Sequence, residues 1–136
     1  MSAPVLLDAN VLLRLILDDH PEQAASALRL IEAAVADGTG AIVPSTLNEV
    51  MFVLTGPRLR TPPLIAARHL RTLLGLGLTV IDRDVVVRAV DIFERHHRDW
   101  DDCLLAAYAL EITDGRIASF DRGLDRIPGV ERLTPA

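Results

Sequence analysis

The chain has 136 residues, of which 50% are hydrophobic and 24% are charged. This length fits one globular domain, and the apolar content excludes an intrinsically disordered chain. All 14 basic residues are arginines, so mechanisms that need a lysine, such as Schiff-base chemistry or a P-loop, are excluded. The formal net charge of −5 disfavours a broad basic surface for nucleic acids and leaves only local contacts.

Short apolar runs alternate with longer segments in which apolar residues recur every three or four positions. This alternation predicts one α/β domain over residues 1–136, with a parallel sheet of about five strands flanked by helices. The predicted strands are residues 5–7, 41–43, 78–81, 116–119 and 131–133. The predicted helices are residues 11–17, 21–36, 47–54, 63–74, 85–96 and 101–111.

Acidic side chains follow three of the predicted strands. A chain that begins at the centre of the sheet has the strand order 3-2-1-4-5, which brings the carboxyl ends of the first, second and fourth strands together at the usual place for a site. Asp8 follows the first strand, Glu49 lies shortly after the second and Asp121 follows the fourth. We therefore expect these three carboxylates to share one crevice.

The helix that leads into the fourth strand supplies a fourth acidic corner, because it begins at the same edge of the sheet. Its start reads Asp99-Trp100-Asp101-Asp102. Asp99 and Asp102 are three residues apart and share a helix face, whereas Asp101 points away from that face.

Each of these polar residues also has a purely structural interpretation. Thr46 and Glu49 fit a helix capping box, and Asp99 fits a helix N-cap. Asn10 can cap the first helix, and Asp121 can sit in a polar turn. The joint placement at the predicted strand ends favours a common site.

Four carboxylates in one crevice repel one another, so their pKa values rise unless a cation lies among them. Oxygen ligands without His or Cys select Mg²⁺ or Mn²⁺ over zinc. An ion of this kind supports phosphodiester cleavage or phosphoryl transfer. A small-molecule phosphatase that forms an aspartyl phosphate is a weaker alternative, because the second Asp that it needs is replaced by Asn10.

Residues 6–14 (LLDANVLLR) resemble the opening motif of PIN-domain nucleases, and in particular of the virulence-associated protein C (VapC) toxins of type II toxin–antitoxin systems. The resemblance continues in order through residues 47–50 (LNEV), 99–107 (DWDDCLLAA) and 119–122 (SFDR). It implies that the catalytic acids and metal ligands are Asp8, Glu49, Asp102 and Asp121, with Asp99 as an accessory ligand.

The resemblance also implies that Asn10 and Ser119 orient the acids. Trp100 stands where this family usually has Phe, and Asp101 stands where Ala is common. The register of the following Cys-Leu-Leu-Ala-Ala selects Asp102 over Asp101 as the ligand.

The activity implied by the resemblance is a Mg²⁺- or Mn²⁺-dependent endoribonuclease that cleaves structured RNA, tRNA or rRNA, and so inhibits translation. The implied partners are a second copy of the chain and a VapB-like antitoxin protein. Candidate contacts to RNA phosphates are Arg14, Arg58, Arg60 and Arg122. The alternative is a PIN-like RNA- or protein-binding module without catalysis.

Several apolar residues of the first and third helical regions fit either an antitoxin groove or, as the preferred interpretation, the core. They are Leu12, Leu13, Ile16, Met51, Phe52 and Leu54. The apolar runs are too short to cross a bilayer, and the first residues lack the basic start of a signal peptide. The single Cys103 fits a reducing compartment, so we expect a cytoplasmic protein.

Overall fold

The computed structural model describes residues 3–136, which form an α/β protein in which every predicted helix and strand has a counterpart. The helices are α1 (Ala9–Ile16), α2 (Pro21–Asp37), α3 (Pro44–Thr55), α4 (Pro63–Leu74), α5 (Arg83–His96) and α6 (Trp100–Ile112), with a 3-10 helix at Arg122–Arg126. The strands are β1 (Val5–Leu6), β2 (Gly40–Ile42), β3 (Thr79–Val80), β4 (Arg116–Ala118) and β5 (Glu131–Leu133).

The chain divides into two compact units, a first that ends at Asp82 and a second that spans Arg83–Ala136. The first unit contains a parallel sheet in the order β1-β2-β3, and the second contains the parallel pair β4-β5. These pairings agree with the 3-2-1 segment and with the 4-5 segment of the predicted order 3-2-1-4-5. The continuous five-strand order is not confirmed, and the single domain over residues 1–136 stays a prediction.

Three helices of the first unit begin with a proline, where the missing N–H costs no hydrogen bond. The starts predicted at Pro21 and Pro63 are correct. The start predicted at Leu47 is wrong, because α3 begins at Pro44 directly after β2. Glu49 therefore lies in the second turn of α3 and not at its first turn.

Helices α1 and α3 pack against each other in the first unit. Their buried apolar residues are Ala9, Leu12, Leu13, Leu47, Val50, Met51 and Leu54. Their burial confirms the core interpretation for four of the six apolar residues singled out in the sequence. Phe52 differs, since 77% of its surface is exposed.

Helices α5 and α6 pack against each other in the second unit and are joined by only three residues. Phe93 and Trp100 make an edge-to-face contact across this turn, with ring centroids 6.2 Å apart. His97 has a left-handed backbone (φ 51°), which turns the chain sharply between the two helices. The turn thereby places Arg98 and Asp99 at the start of α6. No helix among residues 3–136 is long and apolar enough to span a membrane.

Candidate active site

Asp8 lies between β1 and α1, at the carboxyl edge of the three-stranded sheet. It occupies the N-cap position of α1, and its backbone carbonyl accepts hydrogen bonds from the amides of Val11 and Leu12 at 3.1 and 3.4 Å. Its side chain makes no capping hydrogen bond and is exposed. The carboxylate is therefore not engaged by the amides of the helix. Asn10 lies inside α1, so the interpretation of Asn10 as the helix cap is wrong.

Glu49 is an exposed residue of α3, the helix that follows β2. The capping-box interpretation is wrong because the N-cap of α3 is Val43. The amide of Thr46 already donates to the Val43 carbonyl at 3.0 Å. Since α3 starts where β2 ends, Asp8 and Glu49 lie on the elements that leave the same edge of the first unit's sheet.

The second unit brings together two of the predicted acids around one arginine. The Nη2 atom of Arg98 donates to Oδ2 of Asp102 at 3.0 Å and to Oδ2 of Asp121 at 2.6 Å. Asp102 and Asp121 retain 29% and 48% side-chain exposure, so the pair is open to solvent. Two carboxylates from α6 and from the loop after β4 thus share a single cationic group.

Sequence reasoning missed Arg98. The i,i+4 spacing of Arg98 and Asp102 was the available signal, because side chains four residues apart at a helix start are neighbours. Its contact with Asp121, 23 residues away, carried no local signal.

The backbone around Asp121 fixes the direction of its carboxylate. Oδ1 accepts a hydrogen bond from the Gly123 amide at 2.8 Å, and the Asp121 amide donates to Oγ of Ser119 at 3.0 Å. The Gly123 hydrogen bond is the largest cause of the lowered pKa of Asp121. Desolvation opposes it, and the hydrogen bond and charge of Arg98 lower the pKa further. The polar-turn interpretation is therefore confirmed, and the turn leaves the carboxylate ionised at neutral pH.

The three acids at the start of α6 have different surroundings. Asp99 occupies the N-cap position without a side-chain capping bond, and both Asp99 and Asp101 are exposed. Asp102 is partly buried and joins Asp121 through Arg98. The geometry therefore singles out Asp102 as the acid that faces Asp121.

The predicted phosphate-binding arginines lie at the surface or close to it. Arg14 is half-buried and donates to both carboxylate oxygens of Asp19 at 3.1 and 3.2 Å. Arg60 donates through Nε to the Pro57 carbonyl at 3.1 Å. Arg58 and Arg122 are exposed. Phe120, which the sequence reasoning did not single out, is 76% exposed and lies directly before Asp121.

Cys103 is buried next to Asp102 and does not offer a nucleophile. Desolvation, with the charge of Asp102 as a second cause, raises the pKa of this thiol to about 12. The thiolate is the reactive form of cysteine, so this thiol is a poor nucleophile at neutral pH.

Within residues 3–136, no group of three or more His, Cys, Asp or Glu side chains is gathered closely enough to hold a metal ion. The structure instead supplies the Asp102–Asp121 pair. Its donors are hard carboxylate oxygens of the kind that Mg²⁺ and Mn²⁺ prefer, and they already accommodate a positive charge between them. The donor chemistry of this pair is therefore compatible with Mg²⁺ or Mn²⁺.

The sequence matches the PIN domain family over residues 5–130. The chain belongs to the PIN domain family. The match includes all four predicted acids of this PIN domain, and a comparison with curated proteins found no match. PIN domains are generally metal-dependent nucleases that use Mg²⁺ or Mn²⁺, which supports a nuclease-type function for this member.

Proposed function

We propose that this PIN-domain protein is a Mg²⁺- or Mn²⁺-dependent endoribonuclease. The observation that carries the proposal is the pairing of Asp102 with Asp121 around one cationic group, in a chain that belongs to a nuclease family. Two ionised carboxylates this close repel each other unless a positive charge lies between them. A divalent ion supplies more positive charge than one guanidinium.

The catalytic acids in this proposal are Asp8, Glu49, Asp102 and Asp121. Asp102 and Asp121 of the second unit would hold the metal, with Asp99 as an accessory acid, and Asp8 and Glu49 of the first unit are the remaining proposed ligands. When bound, the metal lowers the pKa of a water molecule and stabilises charge on the phosphate. The ionised Asp121 carboxylate is directed by Gly123, so it is ready to bind a cation without first losing a proton.

RNA contacts are assigned to one aromatic residue and four arginines. Phe120 presents an aromatic face on which an unpaired base stacks, and stacking of this kind contributes about 1–3 kcal/mol per base. Arg122 lies one residue beyond Asp121 and is placed to contact a phosphate. Arg14, Arg58 and Arg60 are further phosphate contacts. Ser119 and Asn10 are assigned to orienting the acids.

The biological role that we propose is that of a VapC-type toxin. In this role the protein acts in the cytoplasm, forms a homodimer, cleaves tRNA or rRNA and arrests translation until a VapB-like antitoxin binds it. The support is the motif resemblance along residues 6–122 together with the family match.

The test is cleavage of cellular RNA by the purified full chain with Mn²⁺, with Mg²⁺ and with EDTA. We expect discrete products in either metal and none in EDTA, and sequencing of the new 5′ ends names the target. A panel of phosphate monoesters runs in parallel, and turnover of these without RNA cleavage would support the phosphatase alternative. RNA binding without products in either metal would support the binding module. Growth arrest on expression, relieved by Asp8→Asn, is the expected result in cells.

A further inference from the structure

Arg98 lies between the carboxylates of Asp102 and Asp121. A single nitrogen, Nη2, contacts one oxygen of each carboxylate, at 3.0 and 2.6 Å. Asp102 and Asp121 would hold a divalent ion through these carboxylates, which the guanidinium already engages. Arg98 would therefore have to leave them for an ion to bind there.

The loop after Asp121 is shaped to receive this guanidinium. A Cβ at Gly123 would overlap Nη1 of Arg98 and would lie 2.6 Å from its Cζ. The same Gly123 donates its amide to Asp121, so one residue both directs the carboxylate and leaves room for the arginine. A side chain at position 123 would displace Arg98 while the backbone hydrogen bond to Asp121 stays in place.

The hydrogen bonding of Arg98 is incomplete. Its Nε is buried and has no hydrogen-bond partner among residues 3–136. A buried N–H without an acceptor is unfavourable, and the group regains hydration when the side chain swings into solvent. Arg98 therefore stabilises the two acids but can be displaced.

We propose that Arg98 is a built-in counter-ion of this site, which neutralises Asp102 and Asp121 when no metal is bound and competes with the divalent ion for the same two oxygens. This inference rests on the proposed metal-dependent function. Metal binding then requires the guanidinium to leave the pair. The affinity for metal is lower than the two acids alone would give, because the ion must replace a charge already present.

The experiment is titration of the full chain with Mn²⁺, in which electron paramagnetic resonance measures the free ion. We compare the wild type with Arg98→Met, which removes the charge, and with Gly123→Ala, which displaces the arginine but keeps it in the chain. A guanidinium a few ångströms from a divalent ion in an exposed site alters affinity by about tenfold. We therefore expect Arg98→Met to bind Mn²⁺ about tenfold more tightly and Gly123→Ala, which keeps the charge nearby, to gain affinity by a smaller factor.

The controls separate this inference from the metal site itself. Arg88→Met removes one exposed positive charge elsewhere in the second unit and should leave the affinity within about twofold, because the exposed charge is screened. Asp102→Asn should abolish binding. If Asp102→Asn abolishes binding but Arg98→Met leaves it unchanged or weaker, Arg98 does not compete and the inference alone is wrong. If the wild type does not bind Mn²⁺, the metal site and the inference are both wrong.

Thermal unfolding in EDTA gives a second readout. Without metal, Arg98→Met should lower the melting temperature, because Asp102 and Asp121 lose their counter-ion. Saturating Mn²⁺ should then raise the melting temperature of Arg98→Met more than that of the wild type. An equal rise in both proteins would contradict competition. If Arg98→Met does not fold, Gly123→Ala carries the same comparison.

Discussion

The hydroxyl of Ser119 accepts a hydrogen bond from the backbone amide of Asp121 at 3.0 Å. Ser119 therefore acts on the backbone that carries the acid, and not on the carboxylate itself. A second contact holds the same segment, since Nη1 of Arg132 donates to the Ser119 carbonyl at 3.1 Å. The direction of the Asp121 side chain thus depends on a short turn that is fixed from both sides.

Ser119→Ala should lower the rate of RNA cleavage by about threefold to tenfold, because one hydrogen bond of about 0.5–1.5 kcal/mol no longer holds the turn. Ser119→Thr keeps the hydroxyl and should stay close to the wild type. The measurement is single-turnover cleavage in Mn²⁺. An equal loss in the two variants would show that the hydroxyl is not the cause.

Phe120→Ala should weaken RNA binding by about tenfold or more while Mn²⁺ affinity stays unchanged, because an exposed aromatic ring that stacks on a base is removed. Phe120→Tyr retains the stacking face and should bind RNA like the wild type. Binding is measured by fluorescence anisotropy with a labelled RNA in EDTA, so that cleavage does not interfere. Unchanged RNA affinity in Phe120→Ala would remove Phe120 from the RNA contact.

Local signals in the sequence were enough to predict the elements, but not every boundary. Pro21 and Pro63 mark helix starts that the sequence predicts correctly. The start of α3 was missed because the Thr46 to Glu49 spacing imitates a capping box, while Pro44 at the first helical position decides the boundary. The acids after β1 and β4 were identified because sites in parallel sheets usually lie at the carboxyl ends of the strands, where the strand order reverses.

The pairing inside the site was less predictable. Arg98 donates a hydrogen bond to Asp121, which lies 23 residues further along the chain. Only the folded second unit brings the two side chains together. The acids of the first unit, Asp8 and Glu49, and those of the second are each found on the expected elements. That all four serve one site stays a prediction.

Gly115→Ala should destabilise the protein by about 2 kcal/mol or more. Gly115 has a φ of 83°, and a Cβ there would overlap the backbone carbonyl oxygen of Gly129, which cannot move without disturbing the start of β5. Gly38→Ala is the matched control, since Gly38 has a φ of 66° but no atom within 4 Å of the added Cβ. Only backbone strain of about 1 kcal/mol is expected there. Urea denaturation measures both, and equal losses would show that the contact with Gly129 is unimportant.

His69 should make the protein less stable as the pH falls. Burial, followed by the charge of Arg68, lowers the pKa of His69 below its ordinary value of 6.5 in the folded state. The unfolded chain therefore takes up the proton first, so the free energy of unfolding falls as the pH drops through about 6.5 and levels off below the folded pKa.

The check on His69 is urea denaturation between pH 8 and pH 5. The free energy of unfolding of the wild type relative to His69→Gln should decrease as the pH falls from 8 to 5. The same substitution at the exposed His20 serves as the control. Parallel curves for the wild type and His69→Gln would contradict the prediction. Effects of the carboxylates cancel, because both proteins contain the same acids.

The most direct test of the account compares Asp102→Asn with Asp101→Asn. Asp102 shares Arg98 with Asp121, whereas its neighbour Asp101 is exposed and lies outside the pair. Both changes remove one negative charge from the first turn of α6, so their effects on the interaction with the helix dipole are matched. The measurement is the rate of RNA cleavage in Mn²⁺. The account predicts a loss of at least about 100-fold in Asp102→Asn and less than about threefold in Asp101→Asn. Equal rates in the two variants, or a larger loss in Asp101→Asn, would contradict it.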